Sequence, residues 1–208
     1  MKMSYGLPQG FVIGPLGFVF YTHVVGQILR RHQISYHLYA DDIQMYIVVD
    51  PSIPGDVMCA MFRLTRCVME IQQWMTDNKL KLNQEKTEFF VACSPNHRCR
   101  IDHLTLLIGE SEIPQSDSIR NLGVVFDQNM SMSEHITNLS KSVNWNIRNI
   151  YRIRRFIDTD TCNNIVRSIV LSKLDYCNIL LNNITKKDLR RLQKLQNKCL
   201  RLIFQQPR

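Results

Sequence analysis

The chain has 208 residues, 45% of them hydrophobic and 21% charged, with a net charge of +8. That balance supports a buried core and excludes both a disordered tail and a collagen-like fibre. Seven cysteines in a chain of this length argue for reduced thiols inside a cell rather than a secreted disulfide framework.

The charge is unevenly spread. Residues 131–208 hold 15 Lys and Arg against 5 Asp and Glu, whereas residues 1–130 hold 11 against 13. A basic C-terminal third suits a phosphate-rich partner, and it equally suits a solvated helical surface. Residues 3–29 carry no Asp, Glu, Lys or Arg. Pro8, Gly10, Gly14, Pro15 and Gly17 interrupt the stretch, so neither a signal peptide nor a transmembrane helix is expected. The expected location is intracellular, nuclear or cytoplasmic, without a membrane role.

In chain order, Gly6, Pro8 and Gly10 mark a turn over 4–10. A helix is expected to open near Pro15, with Leu16, Val19, Phe20, Val24 and Ile28 at helical spacing. Residues 35–38 and 43–49 read as strands flanking Asp41 and Asp42, and 57–75 reads as a helix. Strand-like runs follow at 88–93, 104–108 and 119–126, joined by polar links at 94–100 and 111–118. Helices are expected over 133–156, 159–181 and 186–204, with Asp158 and Thr185 as N-caps of the last two. A boundary near residue 130 divides an α+β part (1–130) from a basic helical part (131–208).

Tyr39-Ala40-Asp41-Asp42 is the most specific feature. Adjacent carboxylates at a bend repel each other, and a divalent cation relieves the repulsion. Magnesium suits the position because it takes oxygen ligands and leaves room for substrate phosphates. A solvated turn is the plain alternative.

Gly6-Leu7-Pro8-Gln9-Gly10 lies some thirty residues upstream of that pair. With it, the sequence resembles the reverse transcriptases of LINE-type, non-LTR retrotransposons, Jockey-like elements among them. The resemblance continues through Trp74, Asn78-Lys79-Leu80-Lys81-Leu82-Asn83, Lys86-Thr87-Glu88 and Leu122-Gly123-Val124-Val125-Phe126-Asp127. It extends to His135-Ile136, Leu174-Asp175-Tyr176-Cys177-Asn178 and the last helix. It implies a partial right-hand polymerase palm, an antiparallel sheet with helices, followed by an all-α thumb. It also implies magnesium-dependent nucleotidyl transfer from deoxynucleoside triphosphates to a DNA primer on an RNA template.

By that resemblance, Asp41 and Asp42 hold a two-ion magnesium site, and Tyr39 and Ala40 shape the hairpin beside the primer end. Pro8, Gln9 and Gly10 lie near template and nucleotide, and Lys86 lies near the triphosphate. Arg148, Arg152, Arg154, Arg155, Arg190, Arg191, Lys194 and Lys198 are the implied thumb contacts to nucleic-acid phosphates. The family's third palm carboxylate precedes the Pro-Gln-Gly segment, and only five residues precede Gly6 here. The expectation is therefore an N-terminally truncated chain, inactive alone, with an incomplete metal site. Phe11 and Gly17 also depart from the family pattern. The alternative is a catalytically dead nucleic-acid-binding remnant of a mobile element.

Cys93, His97, Cys99 and His103 lack the paired spacing of a structural zinc site. The remaining cysteines, Cys59, Cys67, Cys162, Cys177 and Cys199, are expected to be small core residues.

Overall fold

The computed structural model describes residues 12–94, 104–109 and 111–206. They form helices and small antiparallel sheets, an α+β chain, in two compact units. The first contains residues 12–89 and 104–115, the second 90–94 and 116–206, within those described.

The first unit opens with α1 (Gly14–Arg31), which has Pro15 in its first turn. A hairpin follows, β1 (Ser35–Tyr39) paired with β2 (Asp42–Tyr46). Then comes α2 (Asp56–Asp77). Val25, Ile28 and Leu29 of α1 pack with Ile34 and with Cys67, Ile71 and Met75 of α2. Tyr36, Ile43, Met45 and Ile47 of the hairpin close over that core. Gly26 makes the close approach possible, because a Cβ there would sit 2.8 Å from the Tyr36 hydroxyl. Arg63 ties off the end of α1 by donating to the carbonyls of His32 (3.0 Å) and Gln33. Burial pushes the Cys67 thiol up to about 11, helped by nearby Glu70 and opposed by Arg31, so it is an inert core group.

Leu16, Val19, Phe20 and Val24, which recur at helical spacing in the sequence, are exposed; of that set Ile28 alone is buried. Met58 and Phe62 of α2 are likewise exposed. Periodicity reports that a face is apolar but not which element covers it. Cys59 is exposed rather than core, and Cys177 is only half-buried. The link over 111–118 contains a strand, β5 (Ser111–Ser116), at the centre of a sheet with β3 (Phe89–Phe90) and β4 (Thr105–Ile108). Its polar composition and Pro114 hid it, while buried Ile113 opposite Leu106 anchors it.

The second unit begins with a hairpin where a single run over 119–126 was expected. Strands β6 (Ser118–Asn121) and β7 (Val124–Asp127) meet at Leu122 and Gly123, both with positive φ (45° and 87°). Two such residues make a tight turn whose twist matches the strands. Helices α3 (Ser133–Ile153) and α6 (Lys186–Phe204) are the long members of the bundle that follows. The expected helix 159–181 is broken into α4 (Thr159–Val166), a π turn (Arg167–Leu171), α5 (Ser172–Asp175) and a 3-10 turn (Asn178–Leu181). Ser168 bonds back to the Asn164 carbonyl (2.9 Å), and Cys177 adopts φ 53°; both interrupt regular helix. Val143, Ile150, Cys162, Val166, Val170, Leu195, Cys199 and Leu202 fill the core.

The caps expected at Asp158 and Thr185 are present. Asp188 reinforces the second. Its carboxylate accepts from Thr185 (2.8 Å), from Ser133 at the start of α3 (2.9 Å) and from Arg191 (3.2 Å). Burial alone would raise its pKa, but these donors outweigh burial and hold it below 3.8, the usual value. His135 is buried and accepts a bond from the Val125 amide (3.3 Å) through Nδ1; desolvation lowers its pKa from 6.5.

Three outcomes follow from this packing. Asp188→Ala is expected to lower stability in urea by about 2 kcal/mol, because buried donors at two helix starts lose a charged acceptor. Both folded-state shifts are downward, so stability present at neutral pH is lost on acidification. The first loss comes below about pH 6.5, as unfolded chains protonate His135, and the second below about 3.8 through Asp188. His135→Asn, which keeps an acceptor, should flatten the first stage of a melting-temperature-versus-pH curve. In the first unit, Ala40 has φ 51°, a left-handed conformation that strains any residue with a Cβ. Ala40→Gly should raise the urea midpoint, with a gain of up to about 1 kcal/mol after the entropy of glycine is subtracted.

Candidate active site

The Asp41–Asp42 pair stands at the tip of the β1–β2 hairpin. Tyr39 and Asp42 form the last pair of the ladder, leaving Ala40 and Asp41 as a two-residue turn. Strand alternation directs Tyr36, Ile43 and Met45 toward the α1–α2 core. Asp42 therefore shares the opposite face with Gln44 and Tyr46 and, across the ladder, with His37 and Tyr39. On that face the His37 ring stacks on Tyr46, with centroids 5.6 Å apart. Asp41, Asp42, Tyr39 and Ala40 are all exposed.

No ion pair or hydrogen bond engages either carboxylate among the described residues, and no group of three metal-ligating side chains occurs among them. Two adjacent, open carboxylates nevertheless have the right donor chemistry for magnesium. That ion is commonly held by one or two carboxylates, with water and substrate phosphate completing its shell. The pair therefore fits part of a metal site in kind.

Lys86 is exposed at the end of a 3-10 turn, Gln84–Lys86. The turn is anchored by Gln84, whose side chain accepts from Ser111 (2.8 Å) and donates to the Ile108 carbonyl (3.4 Å). No hydrogen bond or ion pair joins Lys86 to the hairpin tip. Pro8, Gln9 and Gly10 lie outside the described residues, as do His97, Cys99 and His103. Trp74, Leu80 and Leu82 pack on the core, and Trp74 lies against Tyr21 (5.7 Å).

In the second unit, α3 and α6 run side by side in the same direction. Ser133 meets Asp188 at one end, Asn144 meets Lys198 (2.8 Å) midway, and Arg154 meets Leu202 and Ile203 at the other. The eight basic candidates divide by environment. Arg148, Arg152, Arg155, Arg190, Lys194 and Lys198 are exposed. Arg191 is half-buried and bonded to Asp188 and Thr137 (each 3.2 Å).

Arg154 is buried and spends its guanidinium on the carbonyls of Leu202 (3.0 Å), Ile203 (2.8 Å) and Ile157 (2.7 Å). It caps the C-terminus of α6, where a cation also complements the helix dipole. A sequence reading by charge alone could not separate it from Arg152 or Arg155. That reading also passed over Lys141, Lys187 and Arg201, which are exposed on the same two helices; helical spacing from Arg148 and Lys194 was the available signal.

Among the described residues, no helix is long and apolar enough to cross a membrane. A family model described as reverse transcriptase (RNA-dependent DNA polymerase) matches residues 2–126, more than half of the chain. Two Drosophila melanogaster proteins are similar over 97% of this chain, each at 22% identity. One is the probable RNA-directed DNA polymerase from transposon X-element, the other the RNA-directed DNA polymerase from mobile element jockey. The chain spans 22% of the length of each. No solved structure matches it. Both relatives come from mobile elements, as the resemblance to LINE-type enzymes implies. The Tyr-Ala-Asp-Asp hairpin lies inside the matched segment, and the chain belongs to the reverse transcriptase (RNA-dependent DNA polymerase) family.

Proposed function

We propose that this chain supplies the metal-binding hairpin and nucleic-acid-binding helices of a retrotransposon polymerase that builds DNA on an RNA template. The observation that carries the reading is the pair of open, unpartnered carboxylates at a rigidly backed hairpin tip. Asp41 and Asp42 would hold magnesium through their carboxylate oxygens. Bound there, divalent ions supply charge neutralisation for the attacking primer hydroxyl, the triphosphate and the departing pyrophosphate.

The chain's own residues do the rest. Ala40, with only a methyl group, leaves space for the primer end at the turn. Tyr39 borders the same face as Asp42. The resemblance assigns Pro8, Gln9 and Gly10 to template and nucleotide, and Lys86 would offer a positive charge, or a proton, to the leaving pyrophosphate. The basic helices after residue 130 act as the thumb. Arg148, Arg152, Arg155, Arg190, Lys194 and Lys198 meet phosphates of the template–primer duplex through charge and shape rather than sequence.

The test is equilibrium binding of a deoxynucleoside triphosphate with and without magnesium. Magnesium is expected to strengthen binding, and Asp41→Asn or Asp42→Asn to weaken the magnesium-dependent part by about tenfold or more. Binding indifferent to magnesium and to both substitutions would contradict the reading. The described donors stop at two carboxylates, so template-directed extension by this chain alone is expected to be undetectable. Extension that disappears in Asp41→Asn would overturn that expectation.

A further inference from the structure

Trp145 stands out on the second unit. It is 64% exposed on α3, and no hydrogen bond, ring contact or cation–π contact engages its indole among the described residues. The other tryptophan, Trp74, is half-buried and packed on Tyr21. An indole that contributes nothing to the core of its own unit is costly to leave in water.

Its surroundings say what it suits. Lys141, Arg148 and Arg152 lie four residues before it and three and seven after it, so they share its helix face. By helical rise their backbones lie about 6 Å before and about 4.5 and 10.5 Å after that of Trp145 along the axis. One turn further on, the Arg155 guanidinium lies 4.5 Å over the exposed Phe156 ring, a second aromatic and cation together. The face continues onto α6, because Lys198 of that helix reaches Asn144, the neighbour of Trp145. Glu134 is the only acid on α3, and α6 has none after Asp188. The field over both helices is therefore positive, as a phosphate backbone requires.

We propose that Trp145 is a stacking platform for an unpaired base, and that this face of α3 takes single-stranded nucleic acid. Cations alone would serve a duplex, whose bases are already stacked on one another and closed to an indole. An exposed aromatic set among cations matches the combination that holds single strands: charge along the backbone, and a flat ring for a base. The inference rests on reading these helices as a nucleic-acid surface, and it places the stripe around Trp145 where a strand leaves the duplex, so that Arg148 and Arg152 meet phosphates at that junction.

The test uses fluorescence anisotropy of a labelled oligothymidine and of a labelled RNA–DNA duplex, against the whole chain and its variants. Trp145→Leu, which keeps apolar bulk but removes the ring, is expected to weaken single-strand binding about tenfold, the loss of one base–aromatic stack. Duplex binding should stay within about twofold. Trp145→Tyr, which keeps a ring, should restore most of the single-strand affinity and guards against a folding defect. If Trp145→Leu binds the single strand like the unaltered chain, or loses single strand and duplex alike, the proposal is overturned and the indole belongs to a protein contact. If neither nucleic acid binds the unaltered chain, or Arg148→Glu with Arg152→Glu changes neither affinity, the nucleic-acid surface itself fails and the platform with it.

Discussion

The division of one hairpin into a packed face and a charged, solvent-facing tip is the constraint on which the candidate site depends. At the open tip the mutual repulsion of neighbouring carboxylates is modest, on the order of 1 kcal/mol for a close pair of like charges in water. The left-handed conformation of Ala40 adds a penalty of similar size. Neither term favours folding. Both are tolerated because the other end of the hairpin is fixed: Tyr36, Ile43 and Met45 close the α1–α2 core, and Gly26 lets Tyr36 sit directly on α1. The packed face secures the strands, and the strands hold the charged tip in water. Under the proposed function, a divalent cation held at the tip would relieve that repulsion.

The second unit uses its basic residues in two physically different ways. Arg154 and Arg191 are consumed by the fold, one by carbonyls at the end of α6 and the other by Asp188 near its start. The exposed arginines and lysines of α3 and α6 are not consumed in this way, Lys198 reaching only the neutral Asn144, and they make the field over these helices positive. The first group fixes two parallel helices in register; the second benefits from that register because the two faces become one. Asp188 is central to this, since a single buried carboxylate joins the starts of both helices.

Much of the hairpin was legible in the sequence, for a definable reason. Apolar and polar residues alternate on either side of Asp41 and Asp42, so the strands, the turn and the facing of Asp42 all come from a local period. The caps at Asp158 and Thr185 were legible for the same reason, because a cap depends on its own few residues. What was hidden depends on distant partners. The apolar run of α1 from Leu16 to Val24 is regular, yet it is exposed, because burial depends on what lies opposite. Strand β5 is polar in composition and is a strand only because its neighbours pair with it. Arg154 looks like Arg155 until the end of α6 arrives beside it. The carboxylate pair was visible as a candidate, but its open, unpartnered setting required the structure.

The most direct measurement is anomalous diffraction from crystals of the chain soaked with manganese and a deoxynucleoside triphosphate. The expected result is a manganese peak bridging carboxylate oxygens of Asp41 and Asp42, with triphosphate oxygens in the same shell. A map with no peak at the hairpin, or with manganese held by the triphosphate away from both side chains, would contradict the assignment.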